Sequence, residues 1–266
     1  GQGVSLIGTW MQYVAMSWLV YRMTNSAFML GVVGFASQIP TFILSPFTGV
    51  IADRHNRYKI LLFTQVLAML QAFILAFLTL TGNIAVWHII VMGIFLGCIN
   101  SLDIPARQSF ILQMIEEKES LGNAIALNSM MFNFARLIGP SIAGVLIAIA
   151  GEGVCFFINA ISYLAVIASL FAMNKEIKVR KDKKVDYDIF KDLKEGFSYA
   201  FRSQPIRAIL LLLGITGLMG MSYAVLMPVF ARDILGGGPH TLGFLMAAIG
   251  MGALAGTAYL ASRIKA

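Results

Sequence analysis

Ionisable side chains are scarce in this chain, and three groups of them stand at spacings that imply contact. The first is Gly49-Val50-Ile51-Ala52-Asp53-Arg54-His55-Asn56-Arg57-Tyr58-Lys59, a polar stretch between two long apolar runs. Charge placed this selectively marks a hinge between two membrane helices; plain topological anchoring with helix capping is the simpler alternative. The second is Asp103-Ile104-Pro105-Ala106-Arg107, which sets opposite charges four residues apart and therefore on one helix face. Charges inside a span are costly and tend to pair. The shallow depth of this pair favours a gate network with Arg57 over a substrate site, and Pro105 is expected to kink or end its helix. The third is Arg136, alone in the middle of a span, where a charge costs at least about 2.5 to 3.5 kcal/mol. It is expected to face a central cavity, where its five planar donors suit carboxylate, catecholate or phosphate oxygens.

Asn128 and Asn133 share a helix with Arg136, and Gln12, Gln38, Asn100, Asn159 and Ser162 are further candidates to line that cavity. Each of these, taken alone, is better explained by a hydrogen bond between helices. His55, His88 and His240 fall in loops or at helix ends, and Cys98 and Cys155 lack metal-type spacing. No metal and no cofactor is expected. No Gly-x-x-x-x-Gly-Lys-Ser/Thr phosphate loop occurs, so ATP is not the visible energy source, and no catalytic set marks the chain as an enzyme.

The elements that must position these residues follow from composition. The chain is 58% hydrophobic and 12% charged with a mean hydropathy of +0.80, far from the roughly 25% charge of soluble domains. Its partner is a lipid bilayer. Crossing the hydrocarbon takes about 20 apolar residues, and eight such segments are read near 1–21, 29–52, 60–81, 85–107, 121–149, 153–173, 206–231 and 241–262. Continuous apolar runs such as 60–80 exclude the alternating pattern of a membrane β-barrel. The fold class is therefore an all-α membrane protein.

A net charge of +7 does not point to nucleic acid, because the cations track topology. With the first helix running outward, the inner side holds three Lys or Arg at 53–59, two at 107–120, ten at 174–207 and two at 263–266, whereas only Arg22 and Arg232 lie outside. The positive-inside rule then puts the 174–205 stretch in the cytoplasm. The domains are expected to be 1–173, a six-helix half; 174–205, a linker; and 206–266, the start of a second half. Beyond the charge run of 175–184, Ile189, Leu193, Phe197 and Phe201 recur every four residues, as in an amphipathic helix lying at the interface or serving as an ordinary connector. The chain is read as a fragment of a longer polytopic protein, short of a few residues in front and several helices behind.

The 49–59 stretch resembles the loop between helices 2 and 3 of major facilitator superfamily transporters, whose pattern is Gly-x-x-x-Asp-Arg/Lys-x-Gly-Arg/Lys-Arg/Lys. Asn56 stands for the family glycine, and its tolerance of the left-handed conformation is expected to preserve the turn. Tyr58 replaces a basic residue, with Lys59 as a shifted cation. Gly139-Pro140-Ser141-Ile142-Ala143-Gly144 resembles the Gly-Pro-x-x-Gly-Gly signature of exporters and antiporters. The small residues suit close helix packing in any case. With Asp103 to Asn123, Asn128 and Arg136, the chain looks most like the exporter branch that includes the bacterial enterobactin exporter and related secretion proteins.

That resemblance implies a major facilitator fold, with Gly49, Asp53, Arg54, Arg57, Asp103 and Arg107 as a cytoplasmic gate in which the Asp53 carboxylate latches onto the opposite half. Gly139, Pro140 and Gly144 become one wall of the outer gate. The implied function is export of a small siderophore- or drug-like molecule by a monomer in a bacterial inner membrane. Protons are the candidate coupling ion, with Asp103 or a group beyond the eight spans as the titrating site. An importer or lipid-moving facilitator would share the architecture; a non-transporting receptor or scaffold would not need polar residues at Asn128, Asn133 and Arg136.

Overall fold

A computed structural model describes residues 1–114, 120–173, 195, 198–220 and 222–263. All regular structure among them is helical: α1 Gln2–Thr24, α2 Ala27–Arg54, α3 Arg57–Leu80, α4 Val86–Met114, α5 Ser120–Ala150, α6 Glu152–Ala172, α7 Gln204–Gly220, α8 Ser222–Val229, a π-helical turn Phe230–Ile234, and α9 Pro239–Arg263. Most of the 174–205 linker, including Ile189, Leu193 and Phe197, lies outside the described residues.

Seven segments are long and apolar enough to cross a membrane, against the eight read from sequence. The one left out is α1. Its 23 residues give it the length, but Gln2, Ser5, Thr9, Gln12 and Ser17 dilute its apolar character. The structure explains the polarity, because α1 runs through the middle of the six-helix bundle and not along its lipid face. Val14, Ala15, Leu19 and Val20 are fully buried, and the main apolar cluster of the protein is built around them. Outward-facing Phe28, Phe35, Phe42 and Phe77 are left uncovered, as expected where lipid replaces water as solvent.

Local chemistry fixes the turns. Asn25 ends α1 in the left-handed conformation (φ 48°), and the Ser26 hydroxyl caps α2 by accepting the Met29 N–H. At the α2–α3 turn, Asn56 is extended (φ −66°, ψ 107°), not left-handed as expected from sequence. Its side chain accepts the N–H groups of Tyr58 and Lys59, so it stands in the glycine position as a helix cap.

Helices α2 and α4 meet through small residues. A Cβ on Gly93 would sit 2.5 Å from the Ser37 hydroxyl, and one on Gly97 would collide with the Ser37 carbonyl. Contrary to one expectation, α4 does not end at Pro105 but continues to Met114. Proline leaves the Ser101 carbonyl without its helical donor, and the buried Thr48 hydroxyl of α2 donates to it at 2.6 Å. That side chain offsets the helix defect, which in lipid could not be satisfied by water.

Candidate functional site

The first six helices and α7–α9 are joined at one end, the end that holds the α1–α2 turn. There α9 runs antiparallel to α5 with almost nothing between their backbones. A Cβ on Gly243 would lie 2.5 Å from the Pro140 carbonyl oxygen and 2.9 Å from Gly144 Cα; one on Gly144 would lie 2.8 Å from the Pro239 carbonyl oxygen. Two turns further along, Gly250 fits against the main chain of Leu137. Gly139 faces elsewhere: a Cβ there would sit 2.6 Å from Trp10 Cβ on α1. The Gly139-Pro140-Ser141-Ile142-Ala143-Gly144 run thus serves two neighbours, α1 and α9, on two faces.

Polar contacts reinforce that end. The Tyr21 hydroxyl donates to the Asp233 carboxylate, Arg232 Nη1 donates to Asn25 Oδ1 at 2.7 Å, and the Arg232 guanidinium lies 5.9 Å from the Tyr21 ring centroid. Both Arg232 and Asp233 belong to the π-helical turn, a rare geometry that recurs at functional positions. Nearby, Arg22 grips Glu152 with two bonds of 2.8 and 3.0 Å, tying α1 to α6. At the opposite end, α7 buries no residue, and Met251 and Tyr259 of α9 are exposed.

Inside the six-helix bundle, four helices share one chain of hydrogen bonds. Ser162 Oγ donates to Asn159 Oδ1 at 3.2 Å, Asn159 Nδ2 to Gln12 Oε1 at 2.8 Å, Gln12 Nε2 to Gln71 Oε1 at 3.0 Å, and Gln71 Nε2 to the Met92 carbonyl at 3.3 Å. Gln12, Gln71 and Asn159 are buried. Gln12 and Asn159 are accordingly placed inside the packed bundle, bonded to each other, as the plainer sequence reading has it.

Asp103 is a second hub. It pairs with Arg107 through bonds of 2.9 and 3.1 Å and also accepts from Thr64 Oγ1 at 2.7 Å and Gln65 Nε2 at 2.8 Å. The charges four residues apart do meet, and they bind α4 to α3. A cavity of about 150 Å³ opens beside Arg107 and Gln65, smaller than the roughly 300 Å³ and above typical of ligand pockets. Arg57 opens α3 and Arg54 closes α2, exposed. Gly49 lies in α2 with open space where a Cβ would project. The Asp53 side chain lies outside the described residues.

Arg136 sits between α1 and α9. Its guanidinium lies over the Trp10 ring, 5.6 Å from the centroid, and among the described residues no carboxylate is within ion-pair distance. Cation–π attraction supplies about 0.5 to 2 kcal/mol, which does not by itself offset the roughly 2.5 to 3.5 kcal/mol insertion penalty. Trp10 meets Tyr13 and Phe132 edge to face, at 5.9 and 5.8 Å. The other polar candidates do not converge on this point: Asn128 accepts from Gln2, Asn133 bonds the Ser129 carbonyl of its own helix, and Gln38 is exposed on α2.

Sequence reading missed Gln71, Thr64, Gln65, the Gly93 and Gly97 pair, Gly243 and the Tyr21–Asp233 contact. The glycines carried a usable signal, since two small residues four apart in an apolar helix mark a packing face.

Comparison with known proteins places the chain in a family. The family model described as "Transmembrane secretion effector" matches residues 2–266. The staphyloferrin A transporter of Staphylococcus aureus (strain NCTC 8325 / PS 47) is 30% identical over 97% of this chain and 64% of its own length. Macrolide efflux protein A of Streptococcus pyogenes is 21% identical over 90% of this chain and 59% of its own, and the multidrug efflux pump Tap of Mycolicibacterium fortuitum is 23% identical over 94% and 62%. The chain therefore spans about two thirds or less of these relatives. With an all-helical architecture of apolar spans and a match along nearly its whole length, the chain belongs to the transmembrane secretion effector family of major facilitator proteins.

Proposed function

We propose that this protein is a secondary active transporter that exports a small siderophore-like or drug-like molecule by alternating access. The observation that carries the reading is the junction at the end that holds the α1–α2 turn, in which α5 meets α9 backbone to backbone and Tyr21 meets Asp233. A junction at one end is what a rocking two-body transporter presents in one of its two states. The names of the relatives, which transport staphyloferrin A, macrolides or multiple drugs, supply the substrate range.

The positive-inside bias supports a cytoplasmic α2–α3 turn; in a bacterial inner membrane the joined end then faces outward, and the arrangement is read as the inward-open state. Gly139, Pro140 and Gly144 then belong to the outer gate. Asp53, with Gly49, Arg54 and Arg57, is assigned to a cytoplasmic latch that forms when the molecule rocks the other way, and Asp103 with Arg107 braces the α3–α4 pair beside it. The working unit is a monomer.

The full-length protein in proteoliposomes tests the reading. A macrolide or a siderophore should cross against its gradient when a proton gradient is imposed, in the direction that corresponds to efflux. Movement only in the opposite direction would favour the importer alternative, and binding without flux at any gradient would favour a receptor.

A further inference from the structure

The Arg136 guanidinium carbon lies over the Trp10 ring, 5.6 Å from its centroid, and a cation held by a ring in this way keeps its five planar donors for other partners. The guanidinium makes no hydrogen bond or ion pair among the described residues. On the same Trp10 meet two further rings with uncovered surface, Tyr13 (38% exposed) and Phe132 (46% exposed), each set edge to face against it at 77° and 69°. The contacts beneath are close: Trp10 Cβ rests on Gly139, and the Arg136 main chain rests on Gly250 of α9. Arg136 also lies near the centre of α5, unlike the Lys and Arg residues that sit at helix ends or in loops.

Resting on the transport reading above and deepening it, we propose that Arg136, Trp10, Tyr13 and Phe132 form a substrate subsite for a carboxylate borne on an aromatic ring. The planar fork takes both carboxylate oxygens, and the ring lies against Tyr13 and Phe132, where offset and edge-on contacts are favoured. A lone cation walled by aromatic rings neutralises one negative charge, so a monoanion fits and a phosphate dianion would keep charge in an apolar site.

Equilibrium dialysis of the full-length protein in nanodiscs against 2-naphthoate and its uncharged analogue 2-naphthamide tests this. Wild type should bind naphthoate at least about tenfold more tightly than naphthamide, the scale of one charge-assisted pair. Arg136→Gln should erase that difference while the ligand-free protein melts no lower than wild type. Arg136→Lys should restore only part of it, and Phe132→Leu should weaken both ligands alike. Equal affinities in wild type would overturn the proposal. So would a ligand-free Arg136→Gln that melts well below wild type, because Arg136 would then be paired within the protein. If naphthoate binds through Arg136 yet no substrate crosses in proteoliposomes, the transport reading falls and the subsite stands; efflux without any dependence of naphthoate binding on Arg136 removes the subsite alone.

Discussion

Gly144 of α5 and Gly243 of α9 approach so closely that a Cβ on Gly243 would lie 2.9 Å from the Gly144 Cα. A side chain added to either must push the helices apart at the end where the two parts of the chain are joined. Overpacking of this kind costs about 1 to 3 kcal/mol, and on the alternating-access reading the cost falls on one conformer only. In a background with Cys98 and Cys155 replaced by alanine, a cysteine at Gly34, which faces Val225 across the same junction, reports the change. Gly243→Val is expected to speed its alkylation by an impermeant maleimide about tenfold. An unaltered rate would show that this contact does not control access.

The Tyr21–Asp233 bond is expected to act in the same direction with a smaller effect. Asp233 is exposed, so removing the hydroxyl in Tyr21→Phe forfeits about 0.5 to 1.5 kcal/mol. Alkylation at Gly34→Cys should rise a few fold, and Tyr21→Phe combined with Arg232→Gln should exceed either single change. If the double variant matches wild type, the π-helical turn is a connector and not a latch.

Gln12 should prove structural. Gln12→Leu leaves Gln71 Oε1 and Asn159 Nδ2 buried without partners, at about 1 to 3 kcal/mol for each group left unsatisfied, although hydrogen bonds measured inside membranes average nearer 0.6. The melting temperature should fall without change in substrate preference. Replacing Gln12, Gln71 and Asn159 together by leucine should restore part of the loss, because the orphaned groups disappear. A triple variant less stable than the sum of the singles would contradict this account.

For the ion pair, non-additivity is the signature. Asp103→Asn and Arg107→Gln should each destabilise by about 2 to 3 kcal/mol, below the roughly 3 to 5 kcal/mol for breaking a fully buried pair, since Arg107 keeps a quarter of its side chain exposed. The double variant should be little worse than Asp103→Asn alone. Additive losses in chemical or thermal denaturation would mean that the two side chains are stabilised by other partners.

Sidedness has its own check. A cysteine at Asn83, exposed between α3 and α4, should react with an impermeant reagent from outside whole cells, and one at Arg54 only after the membrane is opened. The reverse pattern would exchange the inner and outer gates.

What could be read from sequence was whatever lipid makes expensive. A solvent without hydrogen bonds forces charge to the helix ends or into pairs, so the Asp53–Lys59 hinge and the Asp103–Arg107 pair stood out by rarity and spacing. Arg136 stood out by depth in the same way. Hidden were the contacts that depend on which faces meet. Gln71 is one amide in an apolar helix, and nothing local aims it at Gln12. Tyr21 and Asp233 lie 212 positions apart, and neither departs from what a helix end normally carries. Asn56 was rightly read as keeping the turn, but by the wrong means, because a side-chain cap and a left-handed backbone are both open to asparagine.

The glycine-to-glycine seam between α5 and α9 also bears on how freely the molecule can change state. At the glycine contacts no side chain is interposed and parting them uncovers little hydrocarbon, but Leu242 and Met246 of α9 are buried in one cluster with Ala143 and Ile147 of α5 and would be uncovered as well, at about 25 cal/mol per Å². A seam of interlocked leucines would add roughly 1.5 to 3 kcal/mol per side chain exposed, enough after two or three residues to hold the junction shut against any modest driving force. If the molecule rocks as proposed, the few apolar side chains of that cluster, and not the glycines, set most of the cost of opening that end.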